Sequence, residues 1–410
     1  MDRSAKIFYK KSKAKMNRIL FVYHASNIGG GTYCLLNILK FLDRTKYQPV
    51  VLLRSPGNLV NEIKKLNIEV YYFPNMRLFP YNKSILERGY FSTLIMRSLS
   101  YKKFRECVCK LKVNAVYFNT MMLAPYLKEA KQLGLKTCIH LREHWPIDDH
   151  KFQLGYLQKI INKYADEIVA INGYSASMVP LRDVTIVYDW VDMSNRYSDM
   201  PFNDIFEEDT AKYKIYLFTG GIQLVKGSYE IVKIFSERIK GSDKRLLIVG
   251  ASEPAVTGIR DRVKYYLSKI GINSYEYKTF KEIRKDHRIK CIPAIYALGH
   301  LMQQAYCNLS YFTIPHANLA LAESIIAGCI PVAARTPESI EYSMNGDLAV
   351  LFNLGDVEDL VRQLDYLDSH YVEIKNRIEI NKDKIEKMFS PMANATRLNN
   401  VFDKIFKLKS

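Results

Sequence analysis

Along the 410-residue chain, short runs of apolar and β-branched residues alternate with longer stretches whose apolar positions recur at helical spacing. The first kind predicts strands, the second amphipathic helices. Strands are expected at Ile19–Tyr23, Pro49–Leu53, Ile68–Phe73, Ala115–Phe118, Lys136–Leu141, Ala165–Ile171 and Val184–Val187. An amphipathic helix follows the three glycines at 29–31, a short one covers Leu59–Leu66, residues 76–112 read as helical and basic, and another helix runs to Leu133. A second series opens with a strand at Lys214–Thr219 and continues with Leu246–Val249, a weaker strand near Ser274–Lys278, Asn308–Phe312 and Ile330–Ala334. Its helices are expected at Ser228–Ile239, about Ile292–Gln304, Leu319–Ala327 and Asp356–Leu367, with helical residues from there to the C-terminus, interrupted near Ser390–Pro391. Alternation of this kind predicts parallel, doubly wound α/β sheets.

Two series on a chain too long for one ordinary core imply two domains. The boundary falls where Asp192–Lys212 turns polar, with Pro201 and the acid run Glu207–Asp209. The expected division is a basic tail at 1–16, a first domain at 17–193, a linker at 194–212, a second domain at 213–389 and a C-terminal helix at 390–410. In open α/β sheets ligands bind beyond the carboxyl ends of the strands, which predicts a site in a cleft between facing domains.

Composition narrows the class. Nearly half the residues are hydrophobic and a quarter charged, as in a globular protein. No apolar run approaches the roughly 20 residues that span a bilayer. The N-terminus lacks a signal peptide's apolar core, so a cytoplasmic place is expected. The seven cysteines are scattered, only Cys107 and Cys109 lying close, which predicts reduced thiols rather than disulfides or a zinc site. A formal charge of +18 suits an anionic partner, with dense basic runs at Lys6–Arg18 and Arg97–Lys112. A lysine-rich solvated surface, an anionic membrane surface and nucleic acid all remain open. No nucleic-acid-binding module is recognisable, so nucleic acid ranks last.

Several stretches could carry chemistry. Gly29, Gly30 and Gly31 stand between a strand and a helix, where they either make a tight turn or let backbone approach a ligand. They do not form the dinucleotide fingerprint. Gly220, Gly221, Lys226 and Gly227 repeat that arrangement at the head of the second series. There a lysine beside a helix start can meet a phosphate, or simply face solvent. His140, Arg142, Glu143, His144, Asp148, Asp149 and His150 cluster after a strand without the spacing of a metal site. His140 is a candidate for substrate contact, or a buried structural histidine. Glu323 is the only charge in the apolar helical run Leu319–Ala327, whose first turn offers N–H groups to an anion. Neither a G-x-S-x-G elbow nor a P-loop is present.

Taken in order, these motifs resemble those of the GT-B-fold glycosyltransferases, in particular the large retaining group classified as family 4. The similarity covers most of residues 17–405. Gly29–Gly31 looks like that family's N-terminal glycine loop, and Tyr188-Asp189-Trp190-Val191-Asp192 is similar to its Y-N-G-V-D. Thr219–Gly227 is similar to V-G-R-x-x-x-x-K-G, Ala322–Val332 to L-E-A-M-A-x-G-x-P-V, and Pro337–Gly346 to G-G-x-x-E-x-V-x-x-G-x-x-G.

The resemblance implies two Rossmann-like domains facing across a cleft, with the last helix returning to the first domain. It implies a hexosyltransferase-type enzyme that moves a sugar from a nucleoside diphosphate sugar, with retention and with neither metal nor cofactor. By position, Glu323 would hold the ribose, Lys226 would neutralise the leaving diphosphate, and His140 would contact the donor sugar near the reacting centre. Gly30, Gly31, Gly220, Gly221 and backbone N–H groups at Asn318, Leu319 and Ala320 would line the donor site.

Two positions depart from the pattern. The family's phosphate-binding arginine, five residues before the lysine, is Gly221. The first glutamate of its E-x7-E pair is Pro315, with His316 beside it. His316 and Arg335 are the candidates to substitute. The acceptor is expected to be a saccharide or a lipid-linked saccharide at the inner membrane face, in surface polysaccharide or glycolipid synthesis. Each exposed Lys or Arg near an anionic membrane contributes about 1 kcal/mol. The alternative is a non-catalytic nucleotide-sugar-binding or scaffold subunit of the same fold.

Overall fold

The computed structural model describes residues 16–27, 30–80, 90–146, 150–191, 201–253, 266, 275–295 and 298–407. The basic tail at 1–15, Gly29, Asp148, Asp149, Asp192 and the first part of the expected linker lie outside them.

Strands β1 to β7 are Asn17–Tyr23, Tyr47–Leu53, Glu69–Tyr72, Ala115–Phe118, Lys136–Leu141, Glu167–Ala170 and Thr185–Ile186, in the order β3-β2-β1-β4-β5-β6-β7. Strands β8 to β13 are Lys214–Phe218, Lys244–Val249, Ile289–Ile292, Cys307–Ser310, Ile330–Ala334 and Val350–Phe352, in the order β10-β9-β8-β11-β12-β13. The registered pairs are parallel, as helical crossovers require. Both sheets therefore wind outward from their first strand in one direction and then reverse. The reversal puts β1 beside β4 and β8 beside β11. Such a switch point leaves a crevice at the carboxyl ends of its two strands.

Ile19, Leu20 and Phe21 are all 0% exposed, because a parallel strand is covered on both faces. By its contacts the chain divides into two compact units. One comprises the described residues within Met1–His140, Gly155–Ile168 and Leu398–Ser410, the other those within Leu141–Leu154 and Val169–Arg397. In the first unit Phe402, on the helix Pro391–Phe406, packs against Phe21 and Tyr117 at ring-centroid distances of 6.0 and 5.7 Å. Asp403 on that helix accepts from the Tyr47 hydroxyl and, at 2.9 Å, from Lys46 Nζ. In the second unit the helix Phe202–Phe206 buries Phe202 and Phe206 in the core.

Some expectations fail in detail. The strand expected near Ser274–Lys278 is instead the start of a helix, Tyr275–Ile283, which buries Thr279, Phe280 and Ile283 at helical spacing. The helix expected from Ile292 begins at Leu298, and Ile289–Ile292 is strand β10, paired with β9. The basic helix covers Tyr90–Leu111, while residues 76–80 are irregular. The helix Lys151–Tyr164 and strand β13 were not foreseen. The seven cysteines are all free thiols. No helix among the described residues is long and apolar enough to cross a membrane.

Candidate functional site

In the second unit the switch point between β8 and β11 gathers most of the predicted residues. After β8 the chain turns through Thr219–Gly227 into the helix Ser228–Arg238. Gly220 lies against Phe218, a Cβ at that glycine falling 2.6 Å from the ring. Gly221 has φ +60°, and a Cβ there would stand 2.8 Å from the Gly250 carbonyl oxygen. A long side chain at 221 would have to displace backbone, so this turn favours glycine where the family pattern implies an arginine. Gly227 ends the turn at φ +70°, against the Tyr311 ring.

This turn is tied to the loop that follows β11. Phe312 N–H donates to the Lys226 carbonyl at 3.3 Å, and Thr313 N–H donates to that of Val225 at 3.0 Å. Phe312 is held at φ +54°, left-handed backbone that is unusual for a bulky residue and tends to mark functional positions. The strained residue is a platform, with Lys226 Nζ 4.4 Å from its ring centroid. Lys226 is half-buried and makes no ion pair among the described residues. Burial lowers its pKa to about 8, opposed by the charge of Glu323. It remains an ammonium at neutral pH.

The loop then enters the helix Leu319–Ile326. Asn318 occupies the cap position, with φ −116° and ψ 75°, and its side chain makes no capping bond. Instead its Oδ1 accepts from the Ser310 hydroxyl at 3.4 Å. Asn318 is 1% exposed, and its Nδ2 has no partner. The first-turn N–H groups of this helix lack intrahelical carbonyls and carry the positive end of its dipole. A cavity of about 30 Å³ opens here, lined by Gly220, Lys226, Ser310, Phe312, Asn318 and Ala320 among others. One turn on, Glu323 is 8% exposed and within electrostatic reach of Lys226.

His316 lies on the same loop and is exposed. Its pKa falls to about 4, first through loss of hydration and then through the Lys226 charge, with Glu338 opposing. At neutral pH it is an uncharged donor and acceptor. Glu338 is 1% exposed; its Oε1 bonds to His144 Nδ1, while its Oε2 has no partner. The His144 ring stacks on Tyr174 at 4.0 Å. Sequence reasoning named His144 only within a polar cluster and assigned Glu338 nothing. Their pairing is tertiary and carries no local signal.

In the first unit Gly30 and Gly31 open the helix Gly30–Phe41, and Gly31 is packed against the Tyr23 hydroxyl. His140 lies on β5, 1% exposed, with Nδ1 2.5 Å from the Tyr117 hydroxyl. Asn119, just past β4, is fully buried with neither amide atom partnered. That residue also escaped sequence reasoning. Among the described residues no group of three or more His, Cys, Asp or Glu could hold a metal ion.

Thus the structure brings Lys226, Gly220, Gly221, His316, Asn318, Leu319, Ala320 and Glu323 together in one unit, and Gly30, Gly31 and His140 belong to the other. The first group can hold a small anion beside a buried carboxylate.

No protein-family model matches the chain, and no curated protein matches it in sequence. Solved structures match it in fold. HepE of Anabaena, crystallised with UDP and glucose, is 15% identical with a TM-score of 0.69, covering 95% of this chain and 100% of its own. A glycosyltransferase of Rickettsia africae is 16% identical with a TM-score of 0.67 over 97% and 100%. Sucrose-phosphate synthase of Thermosynechococcus elongatus is 11% identical with a TM-score of 0.67 over 96% and 100%. At such identities the likeness establishes the fold, a two-domain α/β architecture of the GT-B type.

Proposed function

We propose that this protein is a glycosyltransferase that takes a sugar from a nucleoside diphosphate sugar and passes it to a saccharide or lipid-linked acceptor. The observation that carries the reading is that the cationic Lys226 and the uncapped start of the helix Leu319–Ile326 line one cavity at the switch point of the second sheet, with the buried Glu323 in electrostatic reach of the lysine. Support comes from HepE, whose structures hold UDP, glucose and UDP-glucose, and whose fold this chain shares.

In this reading the diphosphate lies over the first turn of the helix Leu319–Ile326. Lys226 meets the negative charge that grows as the glycosidic bond to phosphate breaks, where a preorganised cation is most effective. Glu323 accepts from the ribose hydroxyls, and neutral His316 serves a donor hydroxyl in the place left by Pro315. The resemblance to the family 4 enzymes supports retention of configuration, a donor-sugar role for His140, and neither metal nor cofactor beyond the donor. The positive charge of the chain supports peripheral residence at the anionic inner face of the cell membrane.

Gly221 favours one second reading. Lacking an arginine there, the same pocket would serve a non-catalytic subunit that binds a nucleotide sugar without turning it over. A thermal-shift panel of nucleotide sugars tests the donor reading, because a ligand that binds only the folded state raises its apparent stability. One or more donors should raise Tm more than the matching free nucleoside; a flat panel would refute both readings.

A further inference from the structure

The cavity beside Lys226 contains a donor that backbone geometry does not explain. Helix starts usually meet phosphate through main-chain N–H groups alone. Here Asn318 also lines the cavity; its side chain is buried, the residue being 1% exposed, and leaves Nδ2 unmet while Oδ1 accepts from Ser310. A buried primary amide without an acceptor is destabilising, so its presence calls for a ligand that supplies one. The capping bond that an asparagine in this position ordinarily makes is missing, so the amide is not consumed by the helix itself. The cavity's roughly 30 Å³ accepts about two water-sized groups, the scale of phosphoryl oxygens rather than of a sugar ring. Position 221, closed by the Gly250 carbonyl, cannot supply a guanidinium.

We propose that the Asn318 carboxamide donates directly to a phosphoryl oxygen of the donor's diphosphate, alongside the Lys226 ammonium. The anion is then held by one cation, one neutral amide and the helix start, without an arginine. The assignment rests on the donor-site reading above and adds a catalytic residue to it. Because the amide stays with the leaving group as its charge grows, it contributes to turnover as well as to binding.

The test is calorimetric titration of the full chain with pyrophosphate, with a panel of nucleoside diphosphates and with the free nucleosides. Wild type is compared with Asn318→Ala and the isosteric Asn318→Asp, each checked for an unchanged melting curve. Loss of the donor should weaken diphosphate binding about tenfold or more in Asn318→Ala, and further in Asn318→Asp, where a carboxylate faces the anion. Affinity for any nucleoside that binds should stay unchanged, which a merely structural role would not predict. Folded variants that bind the diphosphate as wild type does would overturn the Asn318 assignment and leave the donor-site reading standing. Wild type that binds none of the diphosphates would overturn both. If Asn318→Ala does not fold, Asn318→Asp decides alone.

Discussion

Lys226 rests over Phe312, its Nζ 4.4 Å from the ring centroid, and makes no ion pair among the described residues. An ammonium held on an aromatic face keeps its charge available, and the residue beneath it is held at φ +54° by bonds to the same turn. Replacing Lys226 by Ala should leave the fold intact and lower turnover of a nucleotide sugar by about 10²–10³-fold, the effect of deleting one preorganised charge stabiliser. Initial rates with the best donor measure this. A full rate in the variant would remove Lys226 from the chemistry.

The same residue sets a pH limit. Its pKa is lowered to about 8, with burial the larger cause. The free site is therefore cationic below about pH 8 and loses its charge above that. Diphosphate affinity should fall as pH rises through this value, and a bound anion will carry the loss to higher pH by favouring the ammonium. His316, lowered to about 4 in the free site, is neutral there from pH 5 upward. Titrations between pH 6 and 10 check the sign; affinity that rises toward pH 10 would contradict it.

Gly221 offers a structural explanation for the missing arginine, and the explanation can be tested. Gly221→Arg should not improve donor binding. It should destabilise the fold by about 1–3 kcal/mol, because φ +60° and the Gly250 carbonyl at 2.8 Å both oppose a side chain. Denaturant unfolding reads the cost, and a stable variant with tighter binding would show that position 221 is open.

In the first unit Asp403 is 5% exposed and joins the Tyr47 hydroxyl to Lys46 Nζ. Asp403→Ala strands a buried phenol and removes a charged acceptor, which should cost about 3 kcal/mol. Chemical denaturation at pH 7 measures it. A change below about 0.5 kcal/mol would mean that solvent replaces the aspartate freely.

Both sheets were legible because buried parallel strands read as unbroken apolar runs, as Leu20–Val22 and Ile330–Ala334 do. Tyr275–Ile283 misled because Tyr, Thr and Phe alternating with Glu and Lys mimic a strand; burial at helical spacing decided otherwise. Strand β10 escaped because one buried and three half-buried residues before Pro293 carry almost no periodic signal. In the site, Lys226 and Glu323 could be singled out from local pattern. The unmet amide of Asn318, the backbone of Phe312 and the pairing of Glu338 with His144 arise from tertiary packing and could not.

On the function proposed above, this chain turns over a nucleotide sugar. Purified protein, a donor panel and a saccharide or lipid-linked acceptor fraction should release nucleoside diphosphate from at least one donor, with a glycosylated product in equal amount. Ligand-dependent stabilisation without release from any donor would contradict catalysis and leave a nucleotide-sugar-binding subunit in its place.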